Sequence, residues 1–155
     1  MLYMCNTNCH TVCITICVTN VCEFKKVKSL PSFFPTENYQ VQQFEATSKD
    51  GTKIPYFVVG KKDMKPDGNN PTLLYAYGGF EVPELPHYSA ITGTAWLEKG
   101  GVYVLANIRG GGEFGPKWHQ AGLKENRQRV YNDFYAVAES IISKKITSAK
   151  KLGIY

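Results

Sequence analysis

Two glycine-rich stretches hold the residues best placed for chemistry, Tyr75-Ala76-Tyr77-Gly78-Gly79-Phe80 and Asn107-Ile108-Arg109-Gly110-Gly111-Gly112-Glu113-Phe114-Gly115. Each follows a short apolar run, Thr72 to Tyr75 and Val102 to Ile108, and opens on glycine where a strand should end. In an open, mostly parallel sheet, ligands and chemistry collect at the carboxyl ends of the strands. Two such ends in one chain mark one working face. Arg109 and Glu113 fall on that face and are expected to pair as a structural ion pair. Gly110, Gly112 and Gly115 also fit the spacing of a dinucleotide fingerprint. That chemistry needs a clean helix after the glycines and an acid about 20 residues on, at the end of a second strand. Pro116 and Gly122 interrupt any such helix, and Asp133 falls at a helix start. The first stretch has no Lys-Ser/Thr after Gly78-Gly79. Nucleotide binding is therefore disfavoured at both.

Nucleophilic hydrolysis would need a serine on a strained elbow, a histidine base and an orienting acid. Ser29, Ser32, Ser48, Ser89, Ser140, Ser143 and Ser148 are the serines, and none lies in Gly-x-Ser-x-Gly. His87 falls in a proline-rich loop and His119 beside Trp118, and with His10 they read as surface or packing residues. Taken alone, these 155 residues spell no triad. A metal site is not indicated either: Cys5, Cys9, Cys13, Cys17 and Cys22 lack the paired Cys-x-x-Cys or Cys/His spacing of zinc ligands.

The elements that would position the two glycine stretches can be read in order. Tyr39–Thr47 and Ile54–Val59 alternate, and Lys49-Asp50-Gly51-Thr52 between them is a turn, so the three form a hairpin. Pro55 places the second strand towards a sheet edge. Thr72–Tyr77 reads as a strand buried on both faces. Tyr88–Lys99 has a helical pattern closed by Gly100-Gly101. Val102–Ile108 is the clearest strand, and a short helix is expected around Trp118. Val130, Phe134, Val137, Ala138, Ile141 and Ile142 then mark an amphipathic helix. Asp133 falls in its first turn and Lys144/Lys145 at its end, as the helix dipole favours. Lys151–Tyr155 begins another strand. Strand and helix alternate, which implies an α/β fold with a mostly parallel sheet.

Composition narrows the class. With 43% hydrophobic and 20% charged residues the chain is globular in type. The net charge of +5 is spread over short lysine and arginine clusters without interleaved aromatics, so they read as solvated faces rather than a nucleic-acid platform. All five cysteines lie in the first 22 residues. That stretch has no basic n-region and no long apolar run, which argues against a signal peptide and a membrane span. Residues 1–23 are accordingly read as a Cys-rich terminus outside the domain, disordered or foreign to it. Residues 24–38 are read as a linker, extended through Pro31 and Pro35, and 39–155 as the domain.

From about Phe24 to Tyr155, and most densely from Leu73 to Ile154, the sequence resembles the catalytic domain of the prolyl oligopeptidase family, serine peptidases of α/β-hydrolase fold. The resemblance rests on Tyr77-Gly78-Gly79-Phe80, on Asn107-Ile108-Arg109-Gly110-Gly111-Gly112-Glu113, and on Leu152-Gly153-Ile154. It implies a partial α/β-hydrolase fold with an amino-terminal hairpin. The tyrosine before Gly-Gly-Phe, here Tyr77, supplies in that family a hydroxyl to the oxyanion hole. The phenylalanine after the glycines, here Phe80, helps line the pocket for the substrate proline. The related oligopeptidase B branch has another residue there, so Phe80 points to the proline-directed or bacterial-type branch. Without the motif, Tyr77 would be read as a buried strand-end residue and Phe80 as a core aromatic.

In the family, a segment like Leu152-Gly153-Ile154 leads into the serine nucleophile, with the acid and the histidine later. Residues 1–155 thus resemble the amino-terminal part of a catalytic domain and are expected to be inactive alone. Half a sheet should also leave an apolar face uncovered and lower solubility. The implied partners are a short peptide substrate, the remainder of the catalytic domain and a β-propeller. No cofactor, metal, nucleic acid or membrane is implied, and a cytoplasmic location is expected. A non-catalytic binding or regulatory module is the alternative from another class.

Overall fold

The computed structural model describes residues 31–155 with their side chains and, among the first thirty, only the backbone of strands β1 (Leu2–Tyr3), β2 (Thr11–Val18) and β3 (Val21–Ser29). These three pair antiparallel in that order. The reading of the five cysteines lies outside the described side chains.

The domain is built on a five-stranded sheet of β4 (Tyr39–Thr47), β5 (Lys53–Lys61), β6 (Thr72–Tyr75), β7 (Val102–Ala106) and β8 (Leu152–Ile154). Its order is β4-β5-β7-β6-β8. β4 and β5 form the expected hairpin, with Tyr39 opposite Lys61 and Thr47 opposite Lys53. The turn closes because Gly51 takes a φ of 86° and the Asp50 carboxylate accepts from the Thr52 N–H at 3.1 Å. β5 joins β7 antiparallel, whereas β6 runs parallel to both β7 and β8.

β5 is an interior strand, which corrects the edge placement drawn from Pro55. The β5–β7 ladder begins at Tyr56/Ala106, and beyond it the Asn107 N–H still donates to the Pro55 carbonyl at 2.9 Å. Proline stands where β7 leaves the sheet, so its missing N–H costs only the last rung.

Alternation along the strands builds the core. Ile54, Tyr56 and Val58 of β5, Leu74 of β6, and Val102, Val104 and Ala106 of β7 all point to one face and are buried. Against them packs α3 (Arg127–Ser143) through Val130, Ala136, Val137 and Ile141. Each large side chain so buried contributes about 1.5–3 kcal/mol. The Tyr56 hydroxyl meets Ser140 Oγ on the helix at 2.9 Å, so its polar tip is satisfied. β6 alternates buried and half-buried positions, so it is covered fully on one face rather than on both. On the opposite face Val41, Phe57, Val59, Tyr103 and Leu105 floor an apolar groove of about 440 Å³.

The segment expected as a helix over Tyr88–Lys99 is shorter and changes pitch. It begins as α1 (Ala90–Thr92), capped by Ser89 Oγ accepting from the Thr92 N–H, and widens into a π-turn over Gly93–Leu97. Gly93 is pressed so tightly on the Phe34 ring that a Cβ would come within 2.1 Å of it. Its carbonyl accepts from Glu98 N, five residues on. Trp96 Nε1 then donates to the Val102 carbonyl at 2.8 Å, tying the segment to the start of β7.

After β7 comes α2 (Pro116–Gln120), the short helix expected at Trp118, with proline at its opening turn. α3 starts at Arg127, so Asp133 lies in its second turn, fully buried. The reading that placed Asp133 in the first turn to serve the dipole is therefore corrected. Lys144 follows the last turn, its Nζ 4.9 Å from the centre of the Phe44 ring. Among the described residues no helix is long and apolar enough to cross a membrane.

Candidate active site

The parallel strands β6 and β7 end side by side, and both glycine stretches turn there. The first must turn at Gly78, whose φ is 59° and whose α-carbon faces the Ile108 side chain so closely that a Cβ would come within 2.6 Å. The second must turn at Gly110, with a φ of 95° and a virtual Cβ only 2.4 Å from the Gly78 carbonyl oxygen. Only glycine fits either place. The two strand ends are consequently locked backbone to backbone.

Tyr77 precedes this lock and Phe80 follows it. Both rings are exposed, 43% for Tyr77 and 84% for Phe80, and their centroids stand 6.4 Å apart at 29°. Neither is a core aromatic. Phe80 and Glu81 have φ values of 51° and 57°, a left-handed pair that non-glycine residues rarely adopt. That conformation turns the chain sharply, and Val82 N–H donates back to the Gly79 carbonyl at 3.0 Å. Strain of this kind persists where surrounding contacts over-determine it. Here the Glu81 N–H faces both the Gly110 carbonyl at 3.3 Å and His119 Nδ1 at 3.1 Å, and that ring nitrogen stands 2.6 Å from the same carbonyl. Gly112 N–H reaches the Val82 carbonyl at 3.2 Å, and Trp118 Nε1–H the Ile108 carbonyl at 3.1 Å.

Arg109 is the buried anchor of this face, and its partner is not Glu113. Its Nε and Nη2 donate to Asp133 Oδ2 and Oδ1 at 2.8 and 2.6 Å, and its Nη1 to Asp50 Oδ2 at 2.6 Å. Asp133 also accepts from the Arg109 backbone N–H and from Ser48 Oγ. Hairpin turn, strand end and helix are thereby joined at one guanidinium. Arg109 is held above its ordinary pKa, first by Asp133, and the Asp50 carboxyl is held well below its own, first by Arg109. Glu113 instead accepts from the Glu84 N–H at 3.1 Å and from Asn107 Nδ2 at 3.3 Å, while Asn107 Nδ2 also donates to the Glu84 carbonyl at 2.6 Å. It holds the proline-rich loop after Phe80.

Sequence reasoning located Tyr77, Phe80, Arg109 and Glu113, and the fold brings all four to one end of the sheet. It gave no site role to Asp50, Asp133 or Asn107, which it placed only in the turn, the helix and the glycine motif, nor to Arg127. One signal was available for Asp133: it falls between Val130 and Val137 on the inward stripe of α3, where an acid must find a buried partner. The fourth, Arg127, donates Nη1 to the Gly78 carbonyl at 2.7 Å. Of the two histidines among the described residues, His87 contacts the Leu85 carbonyl and His119 that of Gly110, and no serine hydroxyl bonds to either. The arrangement can thus present a phenolic donor and an aromatic wall.

Comparison with known proteins bears on the family and the fold. Residues 86–155 match the prolyl oligopeptidase family. An uncharacterized peptidase of Sinorhizobium fredii is 65% identical over 132 residues, 85% of this chain and 18% of that protein. A prolyl endopeptidase of Elizabethkingia miricola is 49% identical over 121 residues, 78% of this chain and 17% of that protein. The chain therefore spans less than a fifth of the length of these relatives. Among solved structures, a post-proline cleaving enzyme from Rickettsia typhi superposes with a TM-score of 0.83 at 52% identity, covering 93% of this chain and 21% of that one. Prolyl oligopeptidase B from Galerina marginata gives 0.79 at 32% identity, covering 93% and 20%. The parallel strands ending in paired glycine turns, the tyrosine before them and these matches lead to one assignment: residues 86–155 belong to the prolyl oligopeptidase family, and the chain has the α/β-hydrolase fold of that family's catalytic domains.

Proposed function

We propose that this chain supplies the oxyanion donor and the proline-side wall of a serine endopeptidase that cleaves short, proline-containing peptides through an acyl-enzyme. Tyr77 donates its hydroxyl to the developing oxyanion, and Phe80 presents its ring to the substrate proline. One observation carries the reading: Tyr77 and Phe80 stand exposed on either side of the Gly78–Gly110 lock, at the carboxyl ends of the parallel strands β6 and β7. A donor held in place before reaction stabilises the transition state without reorganising for it. The nucleophile, acid and base come from the part of the peptidase that follows this segment, and residues 1–155 by themselves turn over no peptide.

The test is Tyr77→Phe in the complete gene product, assayed on a fluorogenic proline-containing peptide. Loss of an oxyanion donor should lower kcat by about 10²–10³ with little change in KM. A serine-directed reagent should abolish the activity. Undiminished kcat in Tyr77→Phe, or reagent-sensitive turnover by residues 1–155 alone, would overturn the reading.

A further inference from the structure

Two glycines follow Tyr77, and a Gly-Gly backbone has little conformational preference of its own. The direction of the tyrosine therefore depends on what holds the glycine that follows it. One holder is the packing of Gly78 on Ile108 and Gly110. The other comes from a separate element. Arg127, the first residue of α3, reaches across and donates Nη1 to the Gly78 carbonyl at 2.7 Å. The same nitrogen lies 3.6 Å from where a Gly110 Cβ would be, so the guanidinium covers both strand ends at once. The Tyr131 ring, one helical turn on, lies 5.7 Å from the guanidinium carbon and keeps the side chain over this spot. A charged donor to a carbonyl is roughly twice as strong as a neutral one.

We propose that Arg127 is a positioning residue for Tyr77: by clamping the Gly78 carbonyl it fixes the Gly78–Gly79 peptide, and with it the Gly78 backbone to which Tyr77 is joined and the aim of the phenolic hydroxyl. Arg127 touches no reacting atom in this scheme. The inference rests on the oxyanion reading of Tyr77 only for its catalytic consequence, since the clamp itself is a statement about the backbone. Displacement of a catalytic group by about 1 Å can cost 10²-fold in rate, so a clamp of this kind is a kcat device.

Two measurements on the complete gene product test it. In hydrogen exchange, Arg127→Ala should speed the amides of Glu81 and Val82, which donate to the Gly110 and Gly79 carbonyls, by about 10-fold while Val104 in β7 stays protected. Arg127→Lys should restore most of the protection. In peptide hydrolysis, Arg127→Ala should lower kcat by about 10-fold with a smaller change in KM, and this loss should vanish in a Tyr77→Phe background. Unchanged exchange at Glu81 and Val82 overturns the clamp. A loss in Arg127→Ala that adds fully to that of Tyr77→Phe overturns its action through the tyrosine. Faster exchange together with a Tyr77→Phe enzyme of undiminished kcat upholds the clamp and removes the oxyanion role instead.

Discussion

Arg109 and Asp133 face each other through two parallel hydrogen bonds, Nε–Oδ2 at 2.8 Å and Nη2–Oδ1 at 2.6 Å, with Asp133 wholly buried and Arg109 4% exposed. The pair fastens the loop that turns beside Tyr77 to the helix behind the sheet. Removal of Arg109 would leave the Asp133 charge buried without a cation, which costs about 3–5 kcal/mol. Arg109→Ala should therefore lose about that much in urea denaturation, and Asp133→Ala less, because Asp50 still meets the guanidinium.

Gly110→Ala should be costly for a different reason. Its φ of 95° is unfavourable for any side chain, and its Cβ would run into the Gly78 carbonyl rather than into a side chain that could move aside. The backbone conformation alone costs about 1–3 kcal/mol. Thermal denaturation should show at least this loss, whereas Gly51→Ala, where the φ is also positive but nothing lies within 4 Å, should show only the conformational part.

Acid should weaken the hairpin's tie to Arg109. The Asp50 carboxyl lies well below the ordinary 3.8, chiefly through its hydrogen bond to Arg109, with burial opposing. A depressed folded-state pKa gives stability that is complete above the unfolded value and is lost as pH falls through the folded one. The stability gap between the native chain and Asp50→Asn should be constant from neutral pH down to about 5 and narrow progressively below about 4. A gap that widens in acid would contradict this sign.

Phe80→Ala separates binding from folding. The ring is 84% exposed, so its removal should leave stability within about 0.5 kcal/mol. If it contacts the substrate proline, KM for a proline-containing peptide should rise by about 10-fold or more, in line with the apolar area lost. An unchanged KM would remove Phe80 from the pocket.

Much of this protein is written locally. Period-two alternation in Tyr39–Thr47 and Ile54–Val59 with Asp50-Gly51 between them is enough for the hairpin. The 3.6-residue spacing from Val130 to Ile142 is enough for α3, because both patterns bury one face whatever the partner. The Tyr77-Gly78-Gly79-Phe80 run is likewise visible as text. What local pattern could not supply is pairing across long separations. Pro55 looked like an edge residue because its missing N–H shows in the sequence, whereas the departure of β7 at Asn107 does not. Arg109 looked like the partner of Glu113, four residues away, although its charge is met by Asp50 and Asp133 from two other elements. Sequence by itself thus determined the strands, the main helix and the glycine turns, since these follow from backbone sterics and apolar periodicity. Only the tertiary structure decided which buried charges meet, that Gly110 locks on Gly78, and that Arg127 reaches the Gly78 carbonyl, because those contacts exist only once distant strand ends and a helix start converge.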